Sequence, residues 1–375
     1  MTALEAGLDP HPHARMVLGG ALAQERPSHA FLFHGPAGTG KRAAARAFAA
    51  ELLAAGAADP DDVRLRVQHG SHPDLTWVRP TGAHVMRVDD VEEPVVAAAS
   101  HTPFEALRRV FVLERVDTMN DEVANRLLKT LEEPPSYVHL ILLTDQLGGV
   151  IDTVVSRCQL VRFDPLPAAR IAADLTNEGI DPGSAEACAR LALGDGGRAR
   201  FLAGDEGRAL RADVEALVRA ALADADGAAE PWRGLLDRAE ERREAAEAAV
   251  EDDKRRRLEL EPKDRERRML EREFDEAAKR EGRRARTQVL DLGLELATLA
   301  FRDLVCLAEG APEAVLATDR ADSLRAAAQA RDARRLRQAA ELCEDTRQSL
   351  QLNVQEDLAL ASLSLRLRRL VGSPG

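Results

Sequence analysis

Aromatic side chains are scarce: 3% of 375 residues, with one Tyr and two Trp. All-β sandwiches and barrels draw heavily on such residues, so helices built on Ala, Leu and Arg suit this chain better. Cysteine is equally sparse. Cys158, Cys188, Cys306 and Cys343 lie far apart and form no CxxC. This argues against a disulfide framework and a cysteine-rich zinc module, and a reducing cytoplasm fits. No run of eighteen apolar residues is present, so no membrane-spanning helix is expected. The first residues include Glu5 and Asp9 and lack an apolar stretch, so a secretory leader is not expected either. Positive charge is in deficit, 52 Lys and Arg against 64 Asp and Glu, for a net charge of −12. Such a chain is a poor stand-alone DNA binder, although a local basic patch stays open.

What is present suffices for a folded core. Hydrophobic residues are 45% and charged residues 31% of the sequence, and the length suggests two or three domains. Residues 1–165 alternate strand-like and helix-like segments. Ala30–His34, Leu75–Val78, Arg109–Leu113 and Val138–Leu143 read as strands. Arg42–Ala55, Val88–Ala99 and Asp121–Leu131 read as helices. Short apolar strands separated by helices predict an α/β domain with a parallel sheet covered on both faces. After Pro165-Leu166-Pro167 the chain turns small-residue-rich and helical, with a turn at Gly194–Gly197, which suggests a small helical domain over 166–204. Residues 205–375 read as a third, all-helical domain.

Inside that third domain lies an unusual block. Asp237–Arg286 holds 17 acidic and 17 basic residues among 50. A nucleic-acid tail would be one-signed, whereas Glu-to-Arg spacings of three and four residues support a solvated helix. Pro262 is the natural break. The pattern favours two long helices folded into a charged hairpin insertion, about 237–286, running on into the apolar stretch Val289–Leu307. A disordered linker is the alternative.

Gly35-Pro36-Ala37-Gly38-Thr39-Gly40-Lys41 fits the G-x-x-x-x-G-K phosphate loop. Gly35, Gly38 and Gly40 let backbone N–H groups turn toward phosphates, Thr39 completes the loop, and Lys41 would reach the outer phosphates. The loop follows a predicted strand and opens a predicted helix, as it must. Yet Arg42 stands where a Ser or Thr hydroxyl normally holds Mg²⁺. The acidic station is altered too. Its strand ends in Glu114-Arg115, and an arginine cannot act as a base. A surface ion pair at the strand end is the simpler reading of those two residues. Two defects, in the metal ligand and in the base, point to a fold retained after hydrolysis was lost.

Further motifs make the chain resemble the bacterial DNA polymerase III clamp-loader family of AAA+ proteins. These are His29–His34 before the phosphate loop, the run Asn125-Arg126-Leu127-Leu128-Lys129-Thr130-Leu131-Glu132-Glu133-Pro134-Pro135, Ser156-Arg157-Cys158, and Asn353–Leu360 near the end. The resemblance covers about residues 10–205 and 287–370. It implies an AAA+ P-loop domain, a helical lid and an all-helical collar domain, the charged hairpin being a departure from the family pattern. The missing hydroxyl, the missing acidic pair and the absence of cysteine between Glu51 and Asp74 sort the chain with the delta-prime branch rather than with the gamma/tau motor subunits, which remain the alternative.

By this resemblance the chain would be a component of the DNA polymerase III holoenzyme that lacks ATP hydrolysis of its own. It would help a hetero-oligomeric ring with gamma/tau and delta subunits load the sliding clamp on primed DNA. No cofactor would be required. ATP would bind weakly or without hydrolysis if at all, and no metal or zinc site is implied. Arg157 would act as an arginine finger on a neighbouring subunit's ATP. The alternative is a salt bridge within its own domain. For Lys129 and Glu132 interfacial and plain surface roles stand side by side. Thr144 and Arg198 fall where AAA+ proteins carry sensors, with a strand-terminal Thr and a helix-start Arg as their simpler readings. Cys158 reads most simply as a small buried residue.

Overall fold

The computed structural model describes residues 3–24, 27–80, 85–223, 230–260, 264–329, 331–350 and 354–372. Pro262 and Asn353 lie outside these. The backbone divides into two compact units. The first runs up to Pro167 and includes the short segment Gly194–Gly197, and the second holds Ala168–Leu193 and everything from Arg198 onward. The helices expected as lid and as collar thus fall in one unit. No helix among the described residues is long and apolar enough to cross a membrane.

In the first unit, β1 (Ala30–His34), β2 (Leu75–Val78), β3 (Arg109–Glu114), β4 (Val138–Thr144) and β5 (Gln159–Arg162) form a parallel sheet ordered β2-β3-β4-β1-β5. The register sets Ala30 beside Leu140 and Phe31 beside Gln159. Successive side chains of a strand face opposite ways. Phe31, Phe33, Val110, Val112, Ile141 and Leu143 therefore build a core on one face, while Leu32, Phe111, Leu113, Leu140 and Leu142 build a second on the other. Each fully buried Phe or Leu contributes about 1.5–3 kcal/mol.

The helices that position the site begin where the sequence supplies caps. After α1 (Ala3–Leu8) and α2 (Pro12–Leu22), α3 (Lys41–Ala54) springs from Gly40, whose φ of 87° needs a glycine, and buries Phe48, Leu52 and Leu53 on the first core. α4 (Pro60–His69) starts with Asp59 accepting the N–H groups of Asp61 and Asp62 and ends at Gly70. α5 (Asp121–Glu132) is capped by Asn120 and packs Val123, Leu127 and Leu131 on the second core. The helix expected over Val88–Ala99 is irregular instead. A 3-10 turn, Val88–Asp90, leads into a π-helical stretch, Glu92–Ala97. Pro94 has no N–H to give, and the Val96 N–H reaches back five residues to the Val91 carbonyl at 3.0 Å. α6 (Asp152–Val155) is a single turn before β5.

The second unit is helical: α7 (Ala168–Asn177), α8 (Pro182–Leu191), α9 (from Gly196 to Ala203, its first two residues grouping with the first unit), α10 (Asp205–Leu222), α11 (Arg233–Leu260), α12 (Asp264–Ala308), α13 (Ala321–Ala328), α14 (Ala333–Leu350) and α15 (Glu356–Val371). The charged hairpin is present as α11 and the first half of α12. Lys254 pairs with Asp275 at 2.6 Å, Arg286 pairs with Glu240, and Gly293 receives Leu235. Partners rise on one helix as they fall on the other, which is antiparallel packing. Along each helix, Arg243 with Glu247 and Arg280 with Glu276 satisfy the spacing seen in the sequence. At the base, Leu235, Leu236, Ala239, Val289 and Leu290 are buried. Beyond them α12 continues through Leu294, Phe301 and Leu304 as a core helix packed on α10 and α14.

Candidate functional site

The phosphate loop joins β1 to α3, at the carboxyl end of a strand flanked by β4 and β5. Gly35 has φ 140° and its Cα faces the end of β5 so closely that a Cβ would meet the Phe163 carbonyl oxygen at 2.0 Å. Gly40 needs glycine for its backbone angle alone, since nothing lies within 4 Å of a Cβ there. Thr39 is buried and donates its hydroxyl to the Pro36 carbonyl at 3.0 Å. Lys41 is buried as well. Its ammonium donates to the carbonyls of Gly35 and Pro36, both at 2.6 Å, and meets Asp145 Oδ1 at 2.7 Å. Gly38 faces Asp195, which arrives from the Gly194–Gly197 segment of the same unit.

The acidic station corrects one expectation. Glu114 does not form a surface ion pair. It is 2% exposed, and its carboxylate accepts from Trp77 Nε1 at 2.7 Å, from Arg79 Nε at 3.0 Å and from Arg42 at 2.5 Å. Three donors satisfy this buried charge. Arg42, the residue in place of the metal-holding hydroxyl, therefore occupies the carboxylate that would face the metal. A divalent cation wants hard oxygen ligands, and this station offers a guanidinium instead. These residues do not fit Mg²⁺. Arg115 takes the left-handed φ of 55° and starts the 3-10 turn Val116–Thr118.

Thr144 closes β4. Its buried hydroxyl donates to Asp117 Oδ1 at 2.7 Å and accepts the Gln146 N–H at 3.0 Å, so it ties the end of β4 to the turn after β3. Arg198 belongs to the second unit and donates to Glu295 of α12 at 2.8 Å. Lys129 is exposed on α5. Cys158 is half-buried beside the second core, and burial pushes its thiol up to about 12, so it is inert as a nucleophile at neutral pH.

Arg157 follows α6. Its Nε donates to Glu132 Oε1 at 2.9 Å and a terminal nitrogen donates to the Thr153 carbonyl at 2.9 Å, with its side chain one-third exposed. The two motifs most specific to the family resemblance, at Asn125–Pro135 and Ser156–Cys158, thus meet through one ion pair. The sequence reading missed Asp145 and Asp195. Neither belongs to a motif, and only the folded chain brings them to the loop.

Residues 11–167 match the sequence family described as DNA polymerase III, delta subunit. The chain is 33% identical to the delta-prime subunit of Bacillus subtilis over 184 residues, 48% of this chain and 55% of that one. It is 35% identical to the delta-prime subunit of Pseudomonas aeruginosa over 220 residues, 56% of this chain and 66% of that one. The tau subunit of Bacillus subtilis is 34% identical over 160 residues, 40% of this chain and 27% of its own length. The chain spans between about half and two thirds of the length of the delta-prime relatives it matches.

Proposed function

We infer that this chain, which belongs to the DNA polymerase III clamp-loader family through its N-terminal unit, works as a delta-prime-type subunit. It helps a ring of related subunits, gamma/tau and delta among them, place a sliding clamp on primed DNA. The observation that carries this reading is the pairing of a disabled catalytic station with an intact Ser156-Arg157-Cys158. Arg42 on Glu114 replaces the metal site of a motor subunit, which speaks against the gamma/tau alternative. A subunit of this kind serves as the wall of a neighbour's active site.

Arg157 is the residue that would act there. A guanidinium can match phosphate oxygens with two parallel hydrogen bonds, which an ammonium cannot. Supplied in trans it stabilises charge developing on the γ-phosphate, worth about 10³ to 10⁵ in rate. In the isolated chain Glu132 and the Thr153 carbonyl hold Arg157. Docking of a nucleotide-loaded neighbour exchanges Glu132 for phosphate. Arg157→Ala in a reconstituted clamp loader should leave assembly intact and cut clamp- and DNA-stimulated ATPase by at least about tenfold. Wild-type ATPase in an assembled Arg157→Ala complex would exclude the finger.

A further inference from the structure

We propose that the phosphate loop is closed by two of the chain's own carboxylates, Asp145 on Lys41 and Asp195 on Gly38, and that they keep nucleoside triphosphates out. The inference rests on reading Gly35–Lys41 as a phosphate loop. It does not require a ring, because every residue involved lies in one unit of one chain.

A lysine ammonium has three hydrogens. Here the Gly35 carbonyl, the Pro36 carbonyl and Asp145 take one each, at 2.6, 2.6 and 2.7 Å. A phosphate seeking Lys41 must first displace the Asp145 carboxylate. The second carboxylate blocks the backbone itself. A Cβ built on Gly38 would fall 1.6 Å from the Asp195 carboxyl carbon and 1.8 and 1.9 Å from its oxygens. Asp195 therefore lies against the stretch of loop that leads into the N-terminus of α3. That end of a helix attracts anions, and the chain has supplied an anion of its own.

Asp195 is held there by its neighbours. Gly194 has φ 93°, and a Cβ on it would meet Pro165 Cβ at 2.6 Å. Its carbonyl accepts the Leu166 N–H at 3.1 Å. The Gly194–Gly197 segment is thus latched to the exit of β5 and carries its carboxylate onto the loop. An incoming triphosphate would meet a lysine already neutralised by Asp145 and, beside it, the further negative charge of Asp195. The defects at Arg42 and Glu114 impair chemistry, and these carboxylates act a step earlier, on binding.

The test is calorimetric titration of the isolated chain with a slowly hydrolysed ATP analogue, with and without Mg²⁺. Asp145→Asn combined with Asp195→Ala should bind at least about tenfold more tightly than wild type, and adding Lys41→Ala should remove the gain. Wild-type affinity equal to that of the double variant overturns the proposal, as does a folded double variant with no gain. Should the alanine variant fail to fold, Asp145→Asn and Asp195→Asn keep the shapes and lose the charges, and absence of any gain in both is equally decisive. A null result here leaves the Arg157 experiment untouched, since that one reads a neighbour's ATP.

Discussion

His139 sits near the start of β4, 1% exposed, its ring stacked on His29 at 5.3 Å and its Nδ1 3.0 Å from the Ser28 carbonyl. Burial dominates, and it lowers the imidazole from 6.5 to about 4, with His29 and Arg108 adding to the effect. The folded chain thus keeps this ring neutral where the unfolded chain would charge it. Its contribution to stability is complete above pH 6.5 and is lost as pH falls from about 6.5 to about 4, reaching about 3 kcal/mol. His11, His34 and His72 are lowered by burial in the same direction. Comparison with His139→Gln isolates the one ring. Urea unfolding of wild type should lose more stability than the variant between pH 7 and pH 4. Parallel pH curves for the two would refute the assignment.

At the scale of elements, the hairpin is an insertion with an identifiable root. Leu235, Leu236, Ala239, Val289 and Leu290 are buried there, while the arms beyond carry charge pairs within each helix and between them, Lys254 with Asp275 among the latter, and their Val250 and Phe274 are only half-buried. Replacing residues 244–282 by a short glycine linker keeps the root. Helical circular dichroism should fall, and the cooperative thermal transition of the remainder should stay within a few degrees. Loss of that transition would make the arms part of the core. This element was legible in the sequence because its spacing of opposite charges is itself the helical period. Four strands were legible for the same kind of reason, each being an apolar run bounded by turns. β5 was not. Of Gln159–Arg162 only Val161 is buried, so neither an apolar run nor an alternation announces it. The Val88–Ala99 helix was misjudged in form because Pro94 interrupts its amide ladder. In the site, Gly35, Gly38, Gly40 and Lys41 were readable from their spacing. The groups that occupy them come from positions 145 and 195, set there by β4 and by the Gly194 turn, and no local pattern encodes such a meeting.

At the scale of the whole molecule, the isolated protein should turn over no ATP above background. Arg42 satisfies Glu114, and Arg115 stands where a base is needed. A coupled assay on the purified chain checks this. Turnover near about 1 per second, ordinary for enzymes of this kind, would contradict it. Paired with the reconstituted Arg157→Ala complex, the measurement separates turnover at the chain's own loop from the proposed action of Arg157 on a partner subunit's nucleotide.

The strand order carries a consequence for synthesis. β1 is made early, yet its two partners are β4 and β5, whose register sets Ala30 beside Leu140 and Phe31 beside Gln159. Neither edge of β1 can be satisfied until residues more than a hundred positions later have left the ribosome. At about 5–20 residues per second that is a wait of roughly 5–25 seconds. Throughout it, Ala30-Phe31-Leu32-Phe33 is an apolar segment with unpaired amides, and α3 behind it has no sheet to cover. The nascent chain is therefore most vulnerable to aggregation between the emergence of β1 and that of β4, and a holding chaperone acting in that interval would find its binding segment here.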